Sequence, residues 1–377
     1  MHIPTLIPWI LATAAAEPIA NVLAANSNEL STLTSLLGTV PQLTTALATA
    51  SNITIFAPSN QAFTKAMAAM PDLATMAKNT TFLTNLLEYH IASGVMTAAM
   101  FTNTPQFAST ALTLPSTASG TIRTQMVELV KSNADALVVS GFRQVSRVSK
   151  ADLFFDGGVL HIIDTVLTVP DTTSATALDT GLTSLAGALA RTGMVAGVDA
   201  LRQATVFAPS NEAFREVGNV VESADMEFLS SVLDYHVVMG TAAHSTELMQ
   251  MVGASGGSAK LLTAQGGMLT VREENGDLYV NNAKVILADM LTSNGVVHII
   301  DNVMNPLSTT SLPDASREKQ AVDFAGASSV SQAPFTSGVS PTATLVPVTI
   351  ARAGGFAAMP TAALMGAVGA AAVMANM

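Results

Sequence analysis

The 377-residue chain repeats itself, and the repeat limits its architecture more than any single motif does. Ile53-Thr-Ile-Phe-Ala-Pro-Ser-Asn-Gln-Ala-Phe63 returns as Ala204-Thr-Val-Phe-Ala-Pro-Ser-Asn-Glu-Ala-Phe214. Leu86-Leu-Glu-Tyr-His-Ile91 returns as Val232-Leu-Asp-Tyr-His-Val237. Ala151-Asp-Leu-Phe-Phe-Asp-Gly-Gly-Val-Leu-His-Ile-Ile-Asp-Thr-Val166 returns as Ala288-Asp-Met-Leu-Thr-Ser-Asn-Gly-Val-Val-His-Ile-Ile-Asp-Asn-Val303. Three segments recurring in one order require two copies of one unit, over 19–169 and 171–306. Each copy is ~140 residues, long enough to bury a core of its own.

Local chemistry assigns each segment an element. Thr54-Ile-Phe-Ala and Thr205-Val-Phe-Ala are short β-rich runs, and Ser59 or Ser210 then stands where a helix N-cap belongs. Pro58 with Phe63, and Pro209 with Phe214, occupy the staple positions around those caps. Leu83, Leu86, Leu87 and His90 fall at i, i+3, i+4 and i+7, as do Leu229, Val232, Leu233 and His236. That spacing predicts an apolar helical face extended by a histidine. Gly158-Val-Leu-His-Ile-Ile and Gly295-Val-Val-His-Ile-Ile predict strands launched from a glycine turn. Further strands are expected over Leu261–Val271, Leu278–Val280 and Lys284–Leu287, with turns at Asn275-Gly276 and Asn281-Asn282. Helices early and strands late in each unit make the fold class α+β.

These boxes resemble the fasciclin domain. The likeness rests on Ile/Val-Phe-Ala-Pro-Ser-Asn-x-Ala-Phe, a Tyr-His pair about 30 residues later, and a closing Gly-Val-x-His-x-Ile-Asp-x-Val. The resemblance implies tandem wedges or sandwiches of β-strands packed with several helices. It also implies non-enzymatic adhesion to cell-surface or matrix proteins or glycans, often from a glycolipid anchor. It further implies a receptor-binding role for Tyr89, His90, Tyr235 and His236. A histidine continuing an apolar helical face is, on physical grounds, more often a buried ring with a hydrogen-bonded nitrogen. The structural role is therefore the favoured expectation for the pair. Thr292-Ser-Asn-Gly295 replaces Phe155-Asp-Gly-Gly158 in the second copy, a change confined to a turn.

The two ends read as processing signals. Residues 1–16 contain an apolar stretch followed by Ala14 and Ala16 in A-x-A spacing, the pattern of a secretory signal peptide; an N-terminal helix is the alternative. Residues 307–350 are rich in Ser, Thr, Pro, Ala and Gly and predict a flexible stalk. Small residues and a terminal apolar run over 351–377 match a glycolipid-anchor signal, with Ala351, Ala353 or Gly354 as attachment residue. No basic residue follows that run, which disfavours a spanning helix. The architecture resembles fungal fasciclin proteins most. A lumenal vacuolar or secretory-pathway protein is the second reading, and a hydrolase a distant third.

Charge and composition remove other classes. A net charge of −11 repels phosphate backbones, so no nucleic-acid partner is expected. The chain has no cysteine, and neither a His-Glu-x-x-His nor a phosphate-binding glycine loop occurs; no cofactor, metal site or catalytic residue is assigned. His161 with Asp164 and His298 with Asp301 invite an acid–base reading, but residues i and i+3 of a strand face opposite ways. Arg143, Arg147 and Lys150 form a local basic cluster, expected on a solvated strand face. Asn52-Ile-Thr54 and Asn79-Thr-Thr81 are N-glycosylation sequons, both in the first unit.

Overall fold

The computed structural model describes residues 17–115, 122–308, 312–317 and 319–340. The expected signal peptide at 1–16 and the anchor signal at 351–377, with Ala351, Ala353 and Gly354, lie outside the described residues.

The first unit begins with α1 (Ile19–Ala25), α2 (Ser27–Gly38) and α3 (Pro41–Thr49). Leu30, Leu33 and Leu37 make the buried stripe of α2, and Pro41 opens α3 at a position where its missing N–H costs nothing. Strand β1 (Ile53–Pro58) leads into α4 (Asn60–Ala69), whose N-cap Ser59 accepts from Ala62 N at 3.1 Å. After α5 (Leu73–Met76) and α6 (Thr80–Tyr89) come β2 (Ile91–Ser93) and β3 (Gln106–Pro115). Strands β4 (Ile122–Ser132), β5 (Asp135–Val139), β6 (Val145–Phe155) and β7 (Gly158–Ile163) complete the unit. The seven strands close into a barrel, each antiparallel to its neighbour except β1 and β7, which run parallel. That parallel pair is covered by helices, which is why both strands are apolar almost throughout.

The second unit repeats this order. Helices α7 (Thr173–Asp179), α8 (Thr183–Arg191) and α9 (Val195–Ala200) precede β8 (Ala204–Pro209). Then follow α10 (Asn211–Glu216), α11 (Gly218–Ser223), α12 (Met226–Tyr235), β9 (Val237–Val238) and α13 (Ser245–Ala254). Strands β10 (Ser258–Leu262), β11 (Met268–Glu274), β12 (Asp277–Val280), β13 (Ala283–Thr292) and β14 (Gly295–Ile300) finish it. The sheet order is β10-β11-β12-β13-β14-β8-β9, and a lone antiparallel bridge, Val238 to Thr263, joins its two edges. The expected single strand at Leu261–Val271 is instead a hairpin, because Gly266 takes a positive φ (96°) and turns the chain. Asn275-Gly276 forms the expected turn, with positive φ at both residues.

Matching irregularities recur in the two sheets. The register slips between Lys150 and Leu153 and again between Leu287 and Met290, at β-bulges that put Asp152 (φ 58°) and Asp289 (φ 62°) in the left-handed region. At Gly158 and Gly295 any Cβ would stand 1.9 Å from a carbonyl oxygen, that of Ile53 or Ala204. Only glycine lets β7 and β14 start beside their parallel partners.

The segment expected to be a stalk differs from that expectation over much of its length. Residues 312–317 and 319–340 form an irregular strap against the second unit. Asn282 and Asn302 donate to Ala321 O at 2.8 and 2.7 Å, and Asn305 donates to Asp323 O at 2.9 Å. Phe324 is buried, Val330 seats over Gly218, and the backbone at Phe335 lies on Gly187. Arg191 stacks over the Phe335 ring at 5.2 Å. Composition registers how little apolar surface such a segment carries. It does not register the glycine-floored groove that accepts it.

Candidate functional site

The Tyr-His pairs lie inside the two units. His90 is the C-cap of α6, where the chain turns into β2, and it is 3% exposed. Its Nε2 accepts from Leu167 N at 2.9 Å, so the proton sits on Nδ1, which donates to Leu86 O at 2.7 Å. His236 repeats this, with Met304 N donating to Nε2 at 2.9 Å and Nδ1 donating to Val232 O at 2.7 Å. Burial lowers both rings to about 4, against the opposing pull of the carbonyl each one faces. Tyr89 and Tyr235 are fully buried and donate to Met126 O at 2.9 Å and Met268 O at 3.1 Å. Burial raises both phenols above their ordinary range. Each pair ties the end of a helix to a strand on one side and to the exit of the unit on the other. A receptor could reach these four side chains only by opening the fold.

The second histidine of each unit is a latch as well. In His161, Nδ1 accepts from Asp152 N at 3.2 Å and Nε2 donates to Met96 O at 2.7 Å. His298 accepts from Asp289 N at 3.3 Å and donates to Ala243 O at 2.9 Å. The rings stack on Phe56 and Phe207 at 5.9 and 5.6 Å. Asp164, by contrast, accepts from Arg147 N at 2.9 Å and from Thr165 Oγ1 at 3.1 Å. Histidine and carboxylate therefore serve different segments, as strand alternation requires. The bulged Asp152 and Asp289 escaped the sequence reading: they accept from Ala98 N at 2.9 Å and Ser245 N at 2.6 Å, holding the loop that follows β2 or β9. Thr54 and Thr205 hold the same loops, taking Met96 N and Ala243 N each at 2.8 Å. Their recurrence in both copies was the available signal.

Of the expected basic cluster, Arg147 and Lys150 are exposed on β6, but Arg143 is not. Phe142 (φ 56°) and Arg143 (φ 54°) are both left-handed, within a 3₁₀ turn rather than a strand, and this swings the Arg143 side chain inward. Arg143 is 1% exposed, pairs with Glu128 at 3.0 Å, and donates across to Ala288 O at 2.7 Å and Asp289 O at 3.2 Å in the second unit. Gln125 donates to Ser293 O at 3.2 Å, and Phe107 stacks on His244 at 3.9 Å, along the same junction. Arg147 is exposed and paired with Asp135 at 2.9 Å, while Lys150 donates to Asn26 Oδ1 at 2.7 Å.

Both acceptor asparagines are exposed, although Thr54 of the first sequon is buried. Asn52 takes a left-handed turn (φ 58°) ahead of β1. Asn79 caps α6, its Oδ1 accepting from Thr81 N at 3.0 Å and Phe82 N at 3.3 Å. A glycan on Nδ2 leaves that oxygen in place, so capping and glycosylation are compatible. The equivalent residues of the second unit are Gln203 (φ 46°) and the N-cap Asp225, neither an acceptor.

The first unit encloses a cavity of about 20 Å³ bounded by Ile19, Leu23, Leu33, Phe56, His90 and Leu160, room for about one water and no organic ligand. Among the described residues no group of three or more His, Asp or Glu side chains could hold a metal ion, and no helix is long and apolar enough to cross a membrane.

Comparison with known proteins matches this architecture. The fasciclin domain model matches residues 28–170 and again 180–306. A fasciclin-like arabinogalactan protein of Arthroderma benhamiae is 30% identical over 331 residues, covering 87% of this chain and 76% of that protein. Another, from Phaeosphaeria nodorum, is 29% identical over 262 residues, covering 68% of this chain and 78% of its own length. The cell surface glycolipoprotein MPB83 of Mycobacterium bovis is 37% identical over 105 residues, 27% of this chain and 43% of that one. With two repeats that share every buried latch and a family model matched twice, this chain belongs to the fasciclin domain family.

Proposed function

We infer that this chain is a non-enzymatic surface protein whose two fasciclin domains meet cell-surface or matrix proteins or glycans through their outer faces. In this reading a glycolipid holds it to the outer leaflet, and glycans on Asn52 and Asn79 coat the first domain. The observation that carries it is the fate of the shared motifs. All five described histidines are buried, and His90, His161, His236 and His298 each bond main-chain groups at both ring nitrogens. The matched motifs are thereby committed to scaffolding, and contact falls to surfaces on which the two copies differ. Relatives named as a cell surface glycolipoprotein and as arabinogalactan proteins support an extracellular place.

The test is mass spectrometry of both ends of the mature protein, with phospholipase release from intact cells. Cleavage near Ala16, a glycolipid on 351–354 and release by the enzyme are expected. An intact C-terminus, or retention in an internal compartment, overturns the anchored reading. Cell attachment is then assayed with His90→Gln and with surface variants. Loss of attachment by His90→Gln at an unchanged melting temperature would overturn the scaffold role.

A further inference from the structure

The duplication supplies an internal control: one set of three paired positions recurs in both domains and is surfaced differently. In the second domain, Leu262 and Met268 are direct cross-strand partners at the turn end of the β10–β11 hairpin. The bridge from Val238 to Thr263, continued by Ala264 N donating to Val237 O at 2.7 Å, sets Met239 opposite Leu262. Directly opposed residues share a sheet face, so the three side chains form one patch. They are 53%, 59% and 41% exposed for Met239, Leu262 and Met268.

The first domain has the same three positions. Ala92 pairs with Thr110, which sets Ser93 opposite Ser109, and Ser109 pairs with Met126. Two of the three apolar residues are serines there. Ser93 is also paired with Ile53, next to the Asn52 sequon, whereas Gln203 stands at that place in the second domain. One corner is therefore polar with a glycan acceptor beside it. The other is apolar and has none.

Three observations identify what covers the apolar corner. Half-exposed, its side chains offer on the order of 300 Å², well short of the ~800 Å² per partner that a stable protein interface buries. Segments 203–209, 237–243 and 261–271 carry no Asp, Glu, Lys or Arg, although the chain as a whole is at −11. An uncharged tip is not repelled by lipid headgroups. Finally, the strap contacts the second domain as far as Phe335, leaving seventeen residues before Ala353. Even fully extended they reach ~60 Å. A tether of that length keeps the domain beside its membrane yet lets any corner turn toward it.

We propose that the Met239–Leu262–Met268 corner docks on the surface of the bilayer to which the chain is tethered, its side chains entering the boundary between headgroups and acyl chains. This rests on the membrane tether inferred above. The second domain then lies against the lipid, and the first, with its sequons, points outward.

The test uses the mature, glycolipid-bearing protein carrying Leu262→Trp, which is then its one tryptophan because Trp9 leaves with residues 1–16, mixed with phosphatidylcholine vesicles brominated high on the acyl chains. The expected result is co-flotation with blue-shifted, quenched emission, insensitive to salt. Adding Met239→Ser and Met268→Ser should reduce quenching at least fivefold without changing flotation. Met239→Ser and Leu262→Ser alone copy Ser93 and Ser109 and should leave the melting temperature unchanged. A chain that floats with no quenching at position 262 overturns the docking and leaves the tether standing. A chain that does not float overturns the tether, and the docking with it. A blue shift that follows protein concentration without lipid makes the corner a protein interface and overturns the proposal.

Discussion

His90 and His236 show how a residue type associated with catalysis can be consumed by architecture. Unfolded, each ring takes a proton near 6.5; folded, burial postpones this to about 4. Between those values the unfolded chain binds more protons, so stability rises with pH across the window. The contribution is complete above ~6.5 and is lost as pH falls toward 4, roughly 3 kcal/mol per ring. Asp171, raised to about 6 chiefly by burial, acts oppositely, adding stability as pH falls from about 6 toward its unfolded value. Glu88, Asp234 and Asp301 are raised like Asp171 and His161 is lowered like the two rings, all by less; the two fully buried rings dominate near pH 6, so the melting temperature should be flat above pH 7 and drop below 6. His90→Gln should remove one share of that drop, and His90→Ala should cost about 3 kcal/mol by orphaning Leu167 N and the Leu86 carbonyl. Denaturant melts across pH read both. At this scale the sequence disclosed the apolar face that buries His90, but not its two main-chain partners. Asp152 was hidden altogether, because a bulge gives no compositional sign and changes which way the carboxylate points.

Among elements, the legible ones were those whose periodicity or punctuation is local. The caps Ser59 and Ser210, the helices after them and the glycine-launched strands all follow from a few adjacent residues. Gly158→Ala and Gly295→Ala should each cost about 3 kcal/mol or more, since a methyl would meet a carbonyl oxygen at 1.9 Å. Chemical denaturation of each variant measures the loss. The strap was not legible, because what orders it is scattered from Asn305, 18 residues before its partner Asp323, back to Gly187 beneath Phe335. Gly187 and Gly218 are bare so that Phe335 and Val330 can lie against them. Gly187→Val should expel the strap locally. Limited proteolysis should then cut within 331–340 while the circular dichroism of the sheets stays as it was.

For the whole molecule, the junction between domains is set by a residue whose charge suggested a surface. Two consecutive left-handed residues cannot be inferred from the spacing of Arg143, Arg147 and Lys150, and they decide that Arg143 crosses to the second domain. Arg143→Ala removes the cation facing the buried Glu128 and should cost about 3–5 kcal/mol. Adding Glu128→Gln should restore much of the stability but not the junction, so small-angle scattering should still show a wider spread of inter-domain distances. The strap has a mechanical consequence of its own. A pull entering from the C-terminal side must peel residues 340 back toward 312 before it loads either sheet, since the strap lies in series with them. Its contacts come apart one after another rather than all together, and their release adds up to ~100 Å of slack. A tug on the attachment point is thus absorbed by sacrificial contacts that can re-form, and the folded domains survive it.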